Sequence, residues 1–99
     1  MNSHSQNGKR VSQDDALQDA ELLRLISHGN QQAFSQLYLR YQPQLVRYYA
    51  RMLRNDLPQT ADLVDEALFD VWRSAGKFAG RSKPSTWIYT ITRNKVVSW

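Results

Sequence analysis

Apolar side chains recur along most of this chain every three or four residues, the spacing of one face of an α-helix. The clearest case is LPQTADLVDEALFDVW, residues 57–72. There Ala61, Val64, Ala67, Leu68, Val71 and Trp72 form one stripe, and Asp62, Asp65, Glu66 and Asp70 lie on and beside the other side. A longer stripe of Phe34, Leu37, Tyr38, Tyr41, Leu45, Tyr48, Tyr49 and Met52 predicts a helix from Gln31 to about Arg54, with Asn30 as N-cap. Pro43 interrupts it. A proline there removes one intrahelical bond and clashes with the carbonyl four residues back, so a kink or a break is expected near Leu39 to Tyr41. Leu22, Leu23, Leu25 and Ile26 mark a shorter helix from about Asp15 to Ser27, stopped at Gly29.

The joints follow from turn chemistry. Asn55, Asp56, Leu57 and Pro58 read as a turn, with Thr60 as N-cap of the central helix and Asp62 in its first turn, where a carboxylate is favoured. RSAGKFAGRSKPS, after Trp72, reads as a loop from its glycines, proline and serines. Pro84 suits the first turn of a last helix, Pro84 to Trp99, capped by Ser82 or Lys83. Trp87, Ile88, Ile91 and Lys95 fall along one side of it, Tyr89, Arg93, Val96 and Val97 on the other. The expected fold is all-α: one compact bundle of three to four helices over residues 16–99, with a kinked long second helix.

Composition limits what such a bundle can do. Residues 1–15 are nearly empty of apolar side chains and predict a disordered tail. There is no cysteine, hence no disulfide, thiolate metal site or thiol nucleophile. No apolar run approaches the roughly 20 residues of a membrane span, and the N-terminus lacks a signal-peptide core, so a soluble cytoplasmic protein is expected. His4 and His28 have no ligand-type or catalytic spacing. Carboxylates on one exposed helix face hold a metal only weakly. No metal, cofactor or enzymatic activity is expected. The chain ends at Trp99 in mid-pattern, as a piece of a longer protein would.

Charge is the informative quantity. The net charge is +4, yet no Lys or Arg stands between Asp56 and Trp72, while the last nineteen residues hold Arg81, Lys83, Arg93 and Lys95 and no acid. The acidic face suits a basic partner, although solvated carboxylates need none. A basic segment interleaved with Trp87, Tyr89 and Trp99 fits nucleic acid, although cations also suit helix C-termini. The row Arg40, Arg47, Arg51 and Arg54 reads first as a soluble surface and second as a phosphate- or partner-facing ridge.

In sequence order, LYLRYQPQLVRYYARML, DLVDEALFDVW, KFAGRSKPS and STWIYTITRNKVVSW together resemble region 2 of bacterial sigma factors of the extracytoplasmic-function (ECF) class. The resemblance covers roughly Asp19 to Trp99. It implies that the central helix docks on the clamp coiled coil of the RNA polymerase β′ subunit through Asp62, Asp65, Glu66 and Asp70. It also implies that the loop and last helix recognise the promoter −10 element and hold its non-template strand open. Phe78, Arg81, Ser82 and Lys83 on the loop, with Trp87, Tyr89, Arg93 and Asn94 on the helix, are the residues to which that role falls. They supply stacking faces, cations and a base-edge partner. An anti-sigma factor is the implied regulator. Two departures stand out: Asp65 occupies a position where the family commonly has Gln, and the loop lacks the usual acidic residue near Phe78. The domain that reads the −35 element has no counterpart in this sequence. The rival expectations are a helical interaction module with an acidic partner-binding face and no sequence-specific DNA binding, and a helix-turn-helix reader of duplex DNA using Pro84–Trp99.

Overall fold

The computed structural model describes residues 16–54 and 56–99; the tail expected over residues 1–15 lies outside them. Among the described residues there are four helices: α1 (residues 16–27), α2 (Gln31–Met52), α3 (Leu57–Ser74) and α4 (Pro84–Ser98), with a 3₁₀ turn, Ala75–Lys77, continuing α3. No strand occurs among the described residues. The bundle is all-α, and α3 packs against both α2 and α4.

The periodicities locate the core with small shifts. Leu22, Leu23 and Ile26 of α1 meet Leu37, Tyr41, Leu45 and Tyr49 of α2, Leu63, Val64, Ala67, Leu68 and Val71 of α3, and Ile88 and Val96 of α4. On α3 the buried stripe takes in Thr60 and Leu63, and Ala61 faces solvent. On α4 the buried row is Pro84, Ile88, Thr92 and Val96, so Val96 belongs with Ile88 rather than across from it. Thr92 can sit there because its hydroxyl donates to the Ile88 carbonyl at 3.0 Å, which removes the cost of burying it.

The caps decide where elements begin. Asn30 caps α2 by accepting from the Ala33 amide at 2.9 Å, directly after Gly29 at φ +87°. For α3 the expectation needs correcting: Asp56, not Thr60, is the N-cap, accepting from the Gln59 amide at 3.2 Å. Pro58 then occupies the first turn, where its missing N–H costs nothing. Thr60 is drawn inside, and Asp62 moves into the second turn. Nor does Pro43 break α2, which runs unbroken from Gln31 to Met52. Pro43 lies on the exposed side, as does Leu39, whose carbonyl loses its donor and can turn to water. The loop after α3 is also shorter than expected, because helix and 3₁₀ turn carry the chain to Lys77.

Two tyrosine hydroxyls tie helices together inside the core. Tyr41 donates to the buried carboxylate of Asp19 on α1 at 2.5 Å, and Arg40 lies 3.3 Å from the other oxygen. Arg40 is therefore a structural partner of α1, not part of a solvent-facing arginine ridge. Tyr49 donates to the main-chain carbonyl of Thr92, joining α2 to α4.

Candidate functional site

The acidic face is carried by the outward side of α3, and its four carboxylates are not equivalent. Asp62 is exposed, with no ion pair or side-chain hydrogen bond among the described residues. Asp65 is exposed but held, accepting the Tyr38 hydroxyl proton from α2 at 2.6 Å. That hydrogen bond to a carboxylate pushes the Tyr38 phenol above its usual pKa. Glu66 is exposed, with the Lys95 ammonium of α4 at 3.7 Å. Asp70 is partly covered and engaged twice, by Arg73 one turn on and by Lys95 at 3.0 Å. Its charge is already matched within the molecule. Asp62, Asp65 and Glu66 are the exposed carboxylates of this face, and Asp70 is the most covered and most closely paired of the four.

Phe78, on the loop, and Trp87, on the first turn of α4, are both half-buried and meet edge to face, ring centroids 5.4 Å apart. Each ring covers part of the other while keeping an accessible surface. Between them Gly80 takes φ +77°, a left-handed turn that glycine makes without steric cost. Arg81, Ser82 and Lys83 follow it, all exposed, and Lys83 is the N-cap residue of α4. Arg93 and Asn94 are exposed two turns further along the same helix. Arg81, Lys83 and Arg93 form no ion pair among the described residues, so their charge is available to an anion.

Tyr89 is placed differently from the others. It is half-buried, donates its hydroxyl to Gln44 of α2 at 2.8 Å, and packs edge-on against Tyr41 and Tyr48. Burial pushes its phenol pKa up, although Arg47 pulls the other way. It lines an open groove of about 580 Å³ between α2 and α4, together with Gln44, Tyr48, Ser85, Thr86, Thr90 and Arg93. Gln44 and Tyr48 line the site without standing out in the sequence. Tyr48 sits one position before the buried Tyr49, and an aromatic pair at i and i+1 must send one ring off the core stripe. Phe69, an aromatic on the polar side of α3, is equally inconspicuous in the sequence pattern.

Similarity to known proteins bears on this geometry. The model of the Sigma-70 region 2 family matches residues 37–99. The chain is 32% identical over 77 residues to the RNA polymerase sigma-H factor of Pseudomonas aeruginosa, covering 78% of this chain and 39% of that protein. It is 35% identical over 79 residues to the ECF RNA polymerase sigma-E factor of Haemophilus influenzae, 79% of this chain and 40% of the relative. The factor of the same name from Escherichia coli K12 is 34% identical over 79 residues, with the same coverage. The chain spans about two-fifths of the length of the curated relatives it matches.

Proposed function

Because the chain belongs to the Sigma-70 region 2 family, we propose that it acts as the polymerase-docking and promoter-melting domain of an ECF sigma factor. Its partners are the β′ clamp coiled coil of core RNA polymerase and the non-template strand of the −10 element. An anti-sigma factor controls access to them. The observation that carries this reading is the division of open charge. Asp62, Asp65 and Glu66 face out from α3, whereas Arg81, Lys83 and Arg93 stand free on the loop and α4 beside the Phe78–Trp87 pair.

Docking works by charge complementarity, which raises the on-rate and fixes register more than it adds affinity. Asp65 arrives oriented by Tyr38, so less side-chain freedom is lost on binding. Melting works by capture. A non-template base that unstacks is held by stacking against Phe78 or Trp87, worth roughly 1–3 kcal/mol per base, while Arg81, Lys83 and Arg93 hold the phosphates. Asn94 offers both a donor and an acceptor to a base edge. No covalent bond is made or broken; the domain shifts an equilibrium between paired and open DNA.

The deciding experiment is recovery of core RNA polymerase by the wild-type chain and by a variant with Asp62→Lys, Asp65→Lys and Glu66→Lys. The variant recovers at least about tenfold less enzyme, the deficit being largest at low salt. Equal recovery removes docking through α3. Binding of a −10-like single strand, a scrambled strand and the matching duplex then separates the DNA roles. Preference for the −10-like strand supports melting, indifference between the strands leaves an interaction module, and preference for duplex leaves a helix-turn-helix reader.

A further inference from the structure

The outward side of α3 is not purely acidic. Phe69 lies on it, 52% exposed, seven residues after Asp62 and three to four after Asp65 and Glu66. These residues therefore occupy successive turns of one stripe, with Phe69 about 10 Å along the axis from Asp62. The ring is also held. Arg73, one turn further on, places its guanidinium 4.5 Å from the ring centroid, and Arg73 is itself anchored by Asp70. A single exposed apolar side chain is ordinary. A phenyl group fixed by a cation over one face, with its remaining surface in water at the end of a carboxylate row, is a built feature.

We infer that Phe69 is the apolar anchor of the docking surface on α3, and that its occupant is a basic helical segment with a matched apolar residue. This rests on the proposed docking to the polymerase clamp and gives that contact a polarity. Cations of the partner face Asp62, Asp65 and Glu66, and an aliphatic or aromatic side chain of the partner covers Phe69 about two turns towards the C-terminus of α3. Charge complementarity selects the basic partner; an exposed aromatic that becomes desolvated at the centre of a contact supplies most of the hold. Asp70 serves the same surface indirectly. It fixes Arg73, which fixes the ring.

The test is the binding of core RNA polymerase to the wild-type chain, Phe69→Ala, Phe69→Leu and the triple Lys variant, followed in real time across a range of salt. Phe69→Ala weakens binding about 10- to 50-fold, chiefly through faster dissociation, without changing the salt dependence. Phe69→Leu, which keeps an apolar group, loses less than about fivefold. The triple variant instead slows association and flattens the salt dependence. Thermal unfolding of Phe69→Ala matches wild type, because the ring is largely outside the core. If the wild type and triple variant behave as stated but Phe69→Ala binds within about twofold of wild type, the anchor is wrong and docking stands. If the wild type captures no polymerase, docking itself fails and the anchor with it. If Phe69→Ala abolishes a self-association seen by sedimentation and leaves polymerase binding intact, the occupant is a second copy of the chain, and the inference is overturned.

Discussion

Thr60 carries its hydroxyl into the core of α3, where Oγ1 is buried with no hydrogen-bond partner among the described residues. Thr92, equally buried, returns its hydroxyl to the Ile88 carbonyl. The contrast sets a prediction: Thr60→Val keeps the shape and removes the unsatisfied group, so it stabilises the fold by about 1 kcal/mol in urea unfolding. The opposite holds at Tyr41. Phe at that position leaves the buried Asp19 carboxylate without its hydroxyl donor and costs about 1–3 kcal/mol by the same measurement. Both core tyrosines also set an alkaline limit. Burial is the main cause that pushes the Tyr41 and Tyr49 phenols well above their usual pKa, with the Asp19 hydrogen bond adding to it for Tyr41. The unfolded chain releases these protons near pH 10 and the folded chain does not. Stability is therefore full below about pH 10 and falls as pH rises beyond it. Between pH 9 and 11 the unfolding free energy of Tyr49→Phe falls less steeply with pH than that of wild type.

At the level of elements, each helix start has an identifiable cause. Asn30→Ala removes the cap of α2 and costs about 1 kcal/mol, seen as a lower midpoint with unchanged slope in denaturant. α2 and α3 are legible from spacing, because an apolar residue every three or four positions, sustained over such lengths, fits a helix and not a strand; α4 is marked mainly by Pro84, since its apolar residues fall on both sides. The boundaries are less legible. Asp56 and Thr60 are both good caps, and only packing, which draws Thr60 inward beside Leu63 and Val64, selects between them. Pro43 reads as an interruption because its local cost is certain. Whether a helix survives that cost depends on which side faces water, and sequence does not give that rotation reliably. At the candidate site, the types and positions of Asp62, Asp65, Glu66 and the Phe78–Lys83 loop are readable. The pairings of Asp70 with Lys95 and of Arg40 with Asp19 are not, since they join helices through space. Phe69 escapes notice for the reverse reason: an aromatic off the stripe looks like an error in a pattern.

For the molecule as a whole, segregated charge makes ionic strength the natural probe. Affinity for a single strand should fall with salt at a slope near −0.7 per phosphate contact, and Arg93→Ala should lower that slope by about one contact while leaving base preference in place. Anisotropy titrations of a labelled −10-like strand at several salt concentrations check both. The Tyr49 hydroxyl, which reaches the backbone of α4 at Thr92, has a consequence at this scale. It pins the rotational phase of that helix to a residue on α2 that lies fully inside the protein, and so the angle at which Arg93 and Asn94 are offered outward is set from the interior. A graft of α4 onto another bundle would carry the letters of its recognition surface but not their aim, unless a hydroxyl at the equivalent depth came with it.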